Sequence, residues 1–141
     1  MIGHGSFDMW VDNQVFLARI NGAWNEEETQ LFFTKLKENV TELINQPWAQ
    51  IVYLNDWELG TPGNEQVTTE LIQWCMEHNL KKAATIYSPH LIKKLQIERL
   101  TNQSISVVEY RSFPQEQEAF AWLESEGFFV DHPHLIAPNR A

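Results

Sequence analysis

One stretch, Ile51 to Gly63, most constrains the fold that this chain can adopt. It starts with Ile-Val-Tyr-Leu, a short apolar run of the kind found in strands that are buried on both faces. The run ends at Asn55 and Asp56, after which Gly-Thr-Pro-Gly leads into a helical pattern. In open α/β sheets, binding and regulatory residues lie at the carboxyl ends of the strands. We therefore expect any functional site in the loop that follows this strand.

The remaining hydrophobic patterns predict the element order β-β-α-β-α-β-α-β-α. Two β-rich runs at residues 7–11 and 15–20 flank Asp12-Asn13, which predicts an antiparallel hairpin. Asn25 is a good N-cap for a long amphipathic helix that ends before Pro47. Together the patterns predict a single α/β domain with one mixed sheet of about five strands and about four helices.

The boundaries of the later elements follow from the same patterns. Helices are expected to begin near Asn64, Ser88 and Phe113, and short strands are expected at residues 83–87 and 105–110. The predicted domain spans residues 1–130. Residues 131–141 contain two prolines and no periodicity, which predicts a C-terminal tail that is loosely ordered or lies against the surface.

The charge balance narrows the class of partner. A net charge of −9 over 141 residues argues against nucleic acid, because phosphate binding needs a basic surface. Half of the ten basic residues nevertheless lie in one span: Lys81, Lys82, Lys93, Lys94 and Arg99. We interpret this basic patch as a solvated rim, with peripheral contact to a membrane or an acidic partner as the alternative. No signal peptide or transmembrane run is visible, so we expect a cytoplasmic protein.

No pattern of catalytic or metal-binding residues stands out. The chain has no Gly-rich phosphate loop and no Gly-x-Ser-x-Gly elbow, and its one cysteine, Cys75, is expected to be a buried structural thiol. Asp56 and Glu58 could act as an acid–base pair after the central strand, but nothing nearby supplies a nucleophile. We therefore expect a non-enzymatic protein without cofactor or metal, and a hydrolase that depends on these carboxylates is the least supported reading.

The chain is rich in aromatic residues, with six tryptophans and eight phenylalanines. Trp24 and Trp57 fall in predicted loops at strand ends, and Trp10 alternates with the core-facing residues of the first strand. Exposed tryptophans mark interfaces and ligand pockets. We expect at least one of these three tryptophans to line a pocket or a dimer surface.

Three segments resemble STAS domains, the fold of anti-sigma-factor antagonists. Residues 17–40, LARINGAWNEEETQLFFTKLKENV, resemble the strand–glycine–helix opening. Residues 51–74, IVYLNDWELGTPGNEQVTTELIQW, resemble the central strand, switch loop and following helix. The ending RSFPQEQEAFAWLES at residues 111–125 resembles the last strand and helix of the SpoIIAA-like branch. The resemblance covers about residues 7–126 and implies a STAS-like domain with a regulatory role.

The resemblance also implies a regulatory residue. STAS antagonists carry a phosphorylatable Ser or Thr at the start of the helix after the central strand, and Thr61 is the hydroxyl residue of that loop here. A phosphate at a helix N-terminus is favoured by unpaired N–H groups and the helix dipole. This chain departs from the family pattern because Gly60 replaces the usual acidic residue and Pro62 follows directly. Thr61 is therefore also well suited to act only as an N-cap.

Two functions remain open at this stage. In the first, the switch loop of residues 55–64, with Asn55, Asp56, Glu58 and Thr61, meets a protein partner or a second copy of the chain. In the second, the domain carries a small apolar or lipid-like ligand, with the basic patch near a membrane. The carrier predicts a cavity of roughly a few hundred cubic ångströms lined by aromatics, whereas the interaction module predicts a small or absent cavity and an exposed apolar patch.

Overall fold

The sheet of this protein has five strands in the order β1-β2-β3-β4-β5. The computed structural model describes residues 5–58, 62–87, 97–101 and 107–132, with backbone alone at residues 55, 56, 58, 62 and 63. The strands are β1 (Ser6–Asp12), β2 (Val15–Ala23), β3 (Trp48–Glu58), β4 (Leu80–Ile86) and β5 (Glu109–Phe113). The helices are α1 (Glu26–Asn39), α2 (Pro62–Glu77), α3 (helical residues 97–101) and α4 (Glu116–Ser125).

The strand pairing confirms the predicted mixed sheet. β1 and β2 form the antiparallel hairpin, and the pairs β2–β3, β3–β4 and β4–β5 are parallel. Asn13 lies in the hairpin turn with a φ of 55°, a left-handed conformation that asparagine tolerates better than most residues. The strand that begins the organising stretch of the sequence, β3, occupies the centre of the sheet as predicted.

Side chains alternate between two cores, one on each face of the sheet. Phe16 and Ile20 of β2 pack on the face covered by α1, α2 and α3. Val15 and Leu17 of the same strand pack on the opposite face, which α4 covers. β3 divides in the same way, so the inner strands carry apolar residues on both faces and read as continuous hydrophobic runs in the sequence.

Helix α1 begins as predicted and ends earlier than predicted. The side chain of Asn25 accepts a hydrogen bond from the backbone N–H of Glu28 and the side chain of Glu28 accepts one from the N–H of Asn25, which completes a capping box. The helix was expected to run to Pro47 but ends at Asn39, after which the chain continues in turns. The β-branched residues Val40 and Thr41 follow this end and are weak helix formers.

Three further boundaries differ from the predictions. β4 begins at Leu80 instead of residue 83, and β5 covers Glu109–Phe113 instead of residues 105–110. The last helix begins at Glu116 and not at Phe113, because Phe113 remains in β5 and packs beside Trp122 of α4, with ring centroids 5.9 Å apart. The start of the helix predicted at Ser88 lies outside the described residues.

The chain after α4 returns to the tip of the hairpin. The carboxylate of Asp12 accepts hydrogen bonds from the backbone N–H groups of Asp131 and His132, both at 2.9 Å. The side chain of Asn13 donates to the carbonyl oxygen of Phe129 at 3.0 Å. The rest of the predicted tail, residues 133–141, lies outside the described residues. Within the described ranges, no helix is long and apolar enough to cross a membrane.

Candidate functional site

The predicted switch loop begins within the sheet. β3 extends to Glu58 and α2 begins at Pro62, so residues 59–61 connect them. The backbone of Asp56 pairs with that of Asn21 on β2 after a register shift that follows Arg19. The extended strand therefore carries the start of the loop to the carboxyl edge of the sheet, where the sequence analysis expected the site.

Part of the predicted switch loop lies outside the described residues. Thr61 lies outside the described residues, and so do the side chains of Asn55, Asp56 and Glu58. Their roles therefore remain predictions. What the structure describes is the frame on either side: the end of β3, the start of α2 from Asn64 onwards, and the start of α1.

Trp24 lies in the connection between β2 and α1, as predicted, whereas Trp57 lies in a strand and not in the predicted loop; both are buried. Trp57 belongs to β3 and is 6% exposed, and Trp24 is 3% exposed. Both belong to the core beneath α1 and α2. The loop prediction for Trp57 was wrong because β3 continues through Asn55 and Asp56, which look like a turn in the sequence, and Asp56 pairs with Asn21 of β2. Trp10 is half-buried against the core on the α4 side.

Trp24 anchors the segment that leads into α1. Its ring packs edge-to-face with Phe32 at 5.4 Å and lies 5.8 Å from Phe7, measured between ring centroids. Its indole N–H donates to the carbonyl oxygen of Asn21 at 2.6 Å. Buried aromatic contacts of this kind stabilise a structure beyond their area. Trp24 therefore holds the start of α1 at the carboxyl edge of the sheet.

A buried polar contact joins the starts of α1 and α2. The hydroxyl of Thr29 donates to the side-chain oxygen of Asn64, and both residues are buried. Sequence reasoning missed this pair. The available signal was the position of Thr29, which lies on the same helical stripe as Phe32 and Leu36 and is a polar residue on an otherwise apolar face. The contact fixes the start of α2 beside α1 at the end of the switch loop.

An apolar cavity of about 120 Å³ lies between the sheet and the helices that cover it. Its wall includes Trp57 at the end of β3, Leu71 and Cys75 of α2, and Leu100 of α3. Burial raises the pKa of the Cys75 thiol to about 12, so it is protonated at neutral pH. The volume is below the roughly 300–1,000 Å³ typical of pockets for drug-sized ligands.

A second, open groove of about 440 Å³ lies at the opposite end of the sheet from the switch loop. It lies between the hairpin turn and the end of α1, and its wall includes Asn13, Gln14, Asn39 and Glu42. Amide and carboxylate side chains make this groove polar. It therefore does not offer the apolar, aromatic-lined cavity that the carrier reading requires.

Carboxylates neutralise the two described cations of the basic patch whose contacts are known. The Lys82 ammonium lies 2.6 Å from Glu109 and 2.9 Å from Glu126, and Arg99 lies 2.8 Å from Glu65. The hydrogen bonds that Lys82 donates to these two glutamates raise the pKa of Lys82, and the bond to Glu109 lowers the pKa of that carboxyl. These ion pairs reduce the positive charge that the patch can offer to a membrane or an acidic partner.

Three lysines of the predicted basic patch remain besides Lys82 and Arg99. Lys81 is half-buried, whereas Lys93 and Lys94 lie outside the described residues. The shifted pKa of Glu109 arises in a partly buried ion pair with Lys82 and not in a cleft of convergent polar groups, which is where an enzyme would need it. Among the described residues there is also no group of three His, Cys, Asp or Glu side chains placed to hold a metal ion.

Exposed large apolar side chains lie on different parts of the described chain. Leu31 is on α1, Val107 precedes β5, and Phe129 follows α4. Each of them is about half exposed, and no described helix or strand carries two of them. An interaction surface on this frame would therefore depend on polar and backbone groups at the switch loop more than on an apolar patch.

Comparison with known proteins identifies the fold. No family model matches the chain, and no curated protein matches it in sequence. A DUF3478-family protein from Shewanella loihica PV-4 with a SpoIIAA-like fold has a TM-score of 0.68 and 13% identity, over 87% of this chain and 96% of the other. An anti-sigma factor antagonist from Mycobacterium paratuberculosis has a TM-score of 0.56 and 11% identity, over 85% and 94%. The likenesses confirm the predicted SpoIIAA-like α/β fold.

Proposed function

We propose that this chain is a non-enzymatic, cytoplasmic regulatory module that binds a protein partner through the switch loop. The observation that carries the proposal is the fixed frame around that loop, in a fold shared with an anti-sigma factor antagonist. Within the loop, Trp57 is buried near the end of β3, and Asn64 is buried in the first turn of α2 in contact with Thr29. A loop held at both ends loses less conformational entropy on binding than a free one.

The charge beside the loop supports a partner with a basic surface. Glu26 and Glu27 are exposed in the first turn of α1, which adjoins the start of α2 through the Thr29–Asn64 contact. The whole chain carries a net charge of −9. Complementary charge speeds association and rejects wrong partners. We therefore infer a partner whose contact surface is rich in Lys and Arg.

Thr61 is the residue that we propose as the switch. It directly precedes Pro62, the first residue of α2, so a phosphate on Thr61 would lie at a helix N-terminus. The same phosphate would make the net charge of the chain, −9 without it, more negative. Phosphorylation would therefore change both the start of α2 and the charge of the surface that the partner contacts.

Native mass spectrometry of the protein purified gently from its host tests this proposal. We expect a phosphorylated form and a bound basic protein in the wild type. Thr61→Ala should abolish the phosphate, and Thr61→Glu should change partner binding by about tenfold or more. The matched control is Thr34→Ala, because Thr34 is exposed on α1 and its hydroxyl bonds only within its own helix. A wild type without partner, or Thr61 variants that bind like wild type, would contradict the proposal.

Two other readings receive less support. The apolar cavity of about 120 Å³ is small for a lipid-like cargo, which disfavours a lipid carrier. Self-association through the switch loop would appear in the same mass spectra as a dimer without a second protein. That result would keep the loop as an interaction surface and would replace the basic partner with a second copy of the chain.

A further inference from the structure

We propose that the apolar cavity is a regulatory site for a small uncharged apolar molecule of about the size of benzene. Occupancy of the cavity would change the switch loop, so this inference rests on the loop function proposed above. The cavity volume of about 120 Å³ has the right scale. An apolar cavity of about 150 Å³ stays dry and binds benzene or xenon in another protein.

The chemistry of the cavity wall selects an uncharged ligand. None of the described wall residues is Asp, Glu, Lys, Arg or His. The hydroxyls of Thr68 and Thr101 donate to carbonyl oxygens of their own helices, those of Asn64 and Ile97, both at 2.9 Å. The Cys75 thiol is protonated at neutral pH. The wall also contains the polar but uncharged side chains of Gln50, Thr85 and Tyr110. A charged ligand would therefore lose its hydration here without gaining an oppositely charged partner, which costs far more than burial of an apolar one.

The cavity wall includes residues of β3 and of α2, the two elements that the switch loop joins. Trp57 of β3 lies two residues before the connection formed by residues 59–61, and its side chain is part of the wall. Thr68, Leu71 and Cys75 on one face of α2, the helix that follows the connection, form another part. A ligand that packs better against one arrangement of β3 and α2 than another shifts the population of loop conformations by that difference in affinity.

Helix α3 offers a route by which the ligand reaches the cavity. Ile97 and Leu100 of this helix belong to the wall. On the surface, α3 is linked to α2 by the ion pair between Arg99 and Glu65, in which the Arg99 side chain is 60% exposed. Exposed ion pairs contribute little to stability, so the buried side chains of Ile97 and Leu100 hold α3 in place more than this pair does. Entry by this route requires α3 to open, and it predicts a rate of ligand exchange that high salt and Arg99→Gln change little.

Benzene is the probe that tests the proposal, with hydrogen exchange as the readout at residues 62–75. Some amides exchange only when the cavity opens and benzene leaves. At benzene concentrations near ten times Kd, the exchange rate of these amides in the wild-type chain should fall by about tenfold. Cys75→Met and Leu71→Phe each fill the cavity and should abolish both binding and protection. The control Leu31→Ala, on the exposed face of α1, should bind benzene like wild type.

Two results would overturn the proposal. One is a folded wild-type chain that does not bind benzene while the cavity-filling variants show unchanged exchange. The other is benzene binding that leaves exchange at the start of α2 unchanged, because the cavity would then be a passive void. Partner binding by the Thr61 variants is measured without benzene, so a failure there counts against the switch-loop function and is distinguishable from failure of the cavity.

Discussion

The hydroxyl of Thr29 in α1 and the side-chain oxygen of Asn64 in α2 form a buried hydrogen bond between the starts of the two helices. Asn64 is fully buried and Thr29 is 4% exposed. The Thr29 hydroxyl also lies 3.2 Å from the carbonyl oxygen of Asn25, the N-cap of α1. Buried polar groups destabilise a fold unless they are paired, so this contact specifies how the two helices meet beside the switch loop.

Replacing Thr29 by valine removes this hydroxyl with little change in shape. We expect Thr29→Val to lower the free energy of unfolding by about 1–3 kcal/mol, because the Asn64 side-chain oxygen then stays buried without this donor. Urea unfolding measures the loss. Thr34→Val is the matched control, since Thr34 is exposed and should change stability by less than about 0.5 kcal/mol. Equal losses in the two variants would contradict the assigned role of the contact.

The capping box of α1 provides a second stability test. Asn25→Ala removes the side chain that accepts the Glu28 N–H at 2.9 Å, and we expect a loss of about 0.5–2 kcal/mol in urea unfolding. The control is Gln115→Ala, because Gln115 is the N-cap of α4 but makes no capping hydrogen bond. Its loss should be close to zero, and a loss as large as that of Asn25→Ala would show that N-cap side chains do not decide stability here.

The ion pairs of Lys82 predict how stability responds to pH. Lys82 lowers the pKa of Glu109, so the stabilisation is present above the usual carboxyl pKa of about 4.5 and is lost as pH falls through the folded value. The pKa of Lys82 is raised, so the contribution of Lys82 to the free energy of unfolding is present below about pH 10.5 and is lost as the pH rises further. The difference in urea midpoint between wild type and Lys82→Met should therefore be largest near neutral pH.

An exposed lysine on α1 serves as the control for that pH profile. Lys35 lies 3.6 Å from Glu38, and both side chains are at least half exposed. Lys35→Met should leave the urea midpoint nearly unchanged at every pH, since exposed pairs are screened by solvent. A Lys82→Met profile that is flat with pH would refute the role given to the Glu109 and Glu126 contacts.

The order of the elements follows from the sequence because hydrophobic periodicity records burial directly. The central position of β3 and the cap at Asn25 were predictable for this reason. The burial of Trp57 was not, because Asn55 and Asp56 have turn-forming side chains and only their pairing with β2 keeps them in the strand. The turn preference of Asn55 and Asp56 therefore predicted that β3 ends too early, whereas pairing with β2 extends the strand to Glu58.

The candidate site was predictable in position but not in its contacts. The polar residue Thr29 on an apolar stripe indicated a buried partner, yet that partner, Asn64, is 35 residues away along the chain. The ion pairs of the basic patch were not predictable for a similar reason. Lys82 pairs with Glu109 and Glu126, which come from β5 and from the residue after α4 and approach it only in the folded chain.

Cys75 gives the last prediction, at alkaline pH. Burial raises the pKa of its thiol from 9.0 to about 12, so its contribution to stability is present below about pH 9 and is lost as pH rises toward 12. The urea midpoint of the wild type should fall more steeply as the pH rises above about 9 than that of Cys75→Ala. Thiol reagents should modify the wild type only at the rate at which the structure opens. Rapid modification of the native chain, or parallel pH profiles, would refute the burial of this thiol.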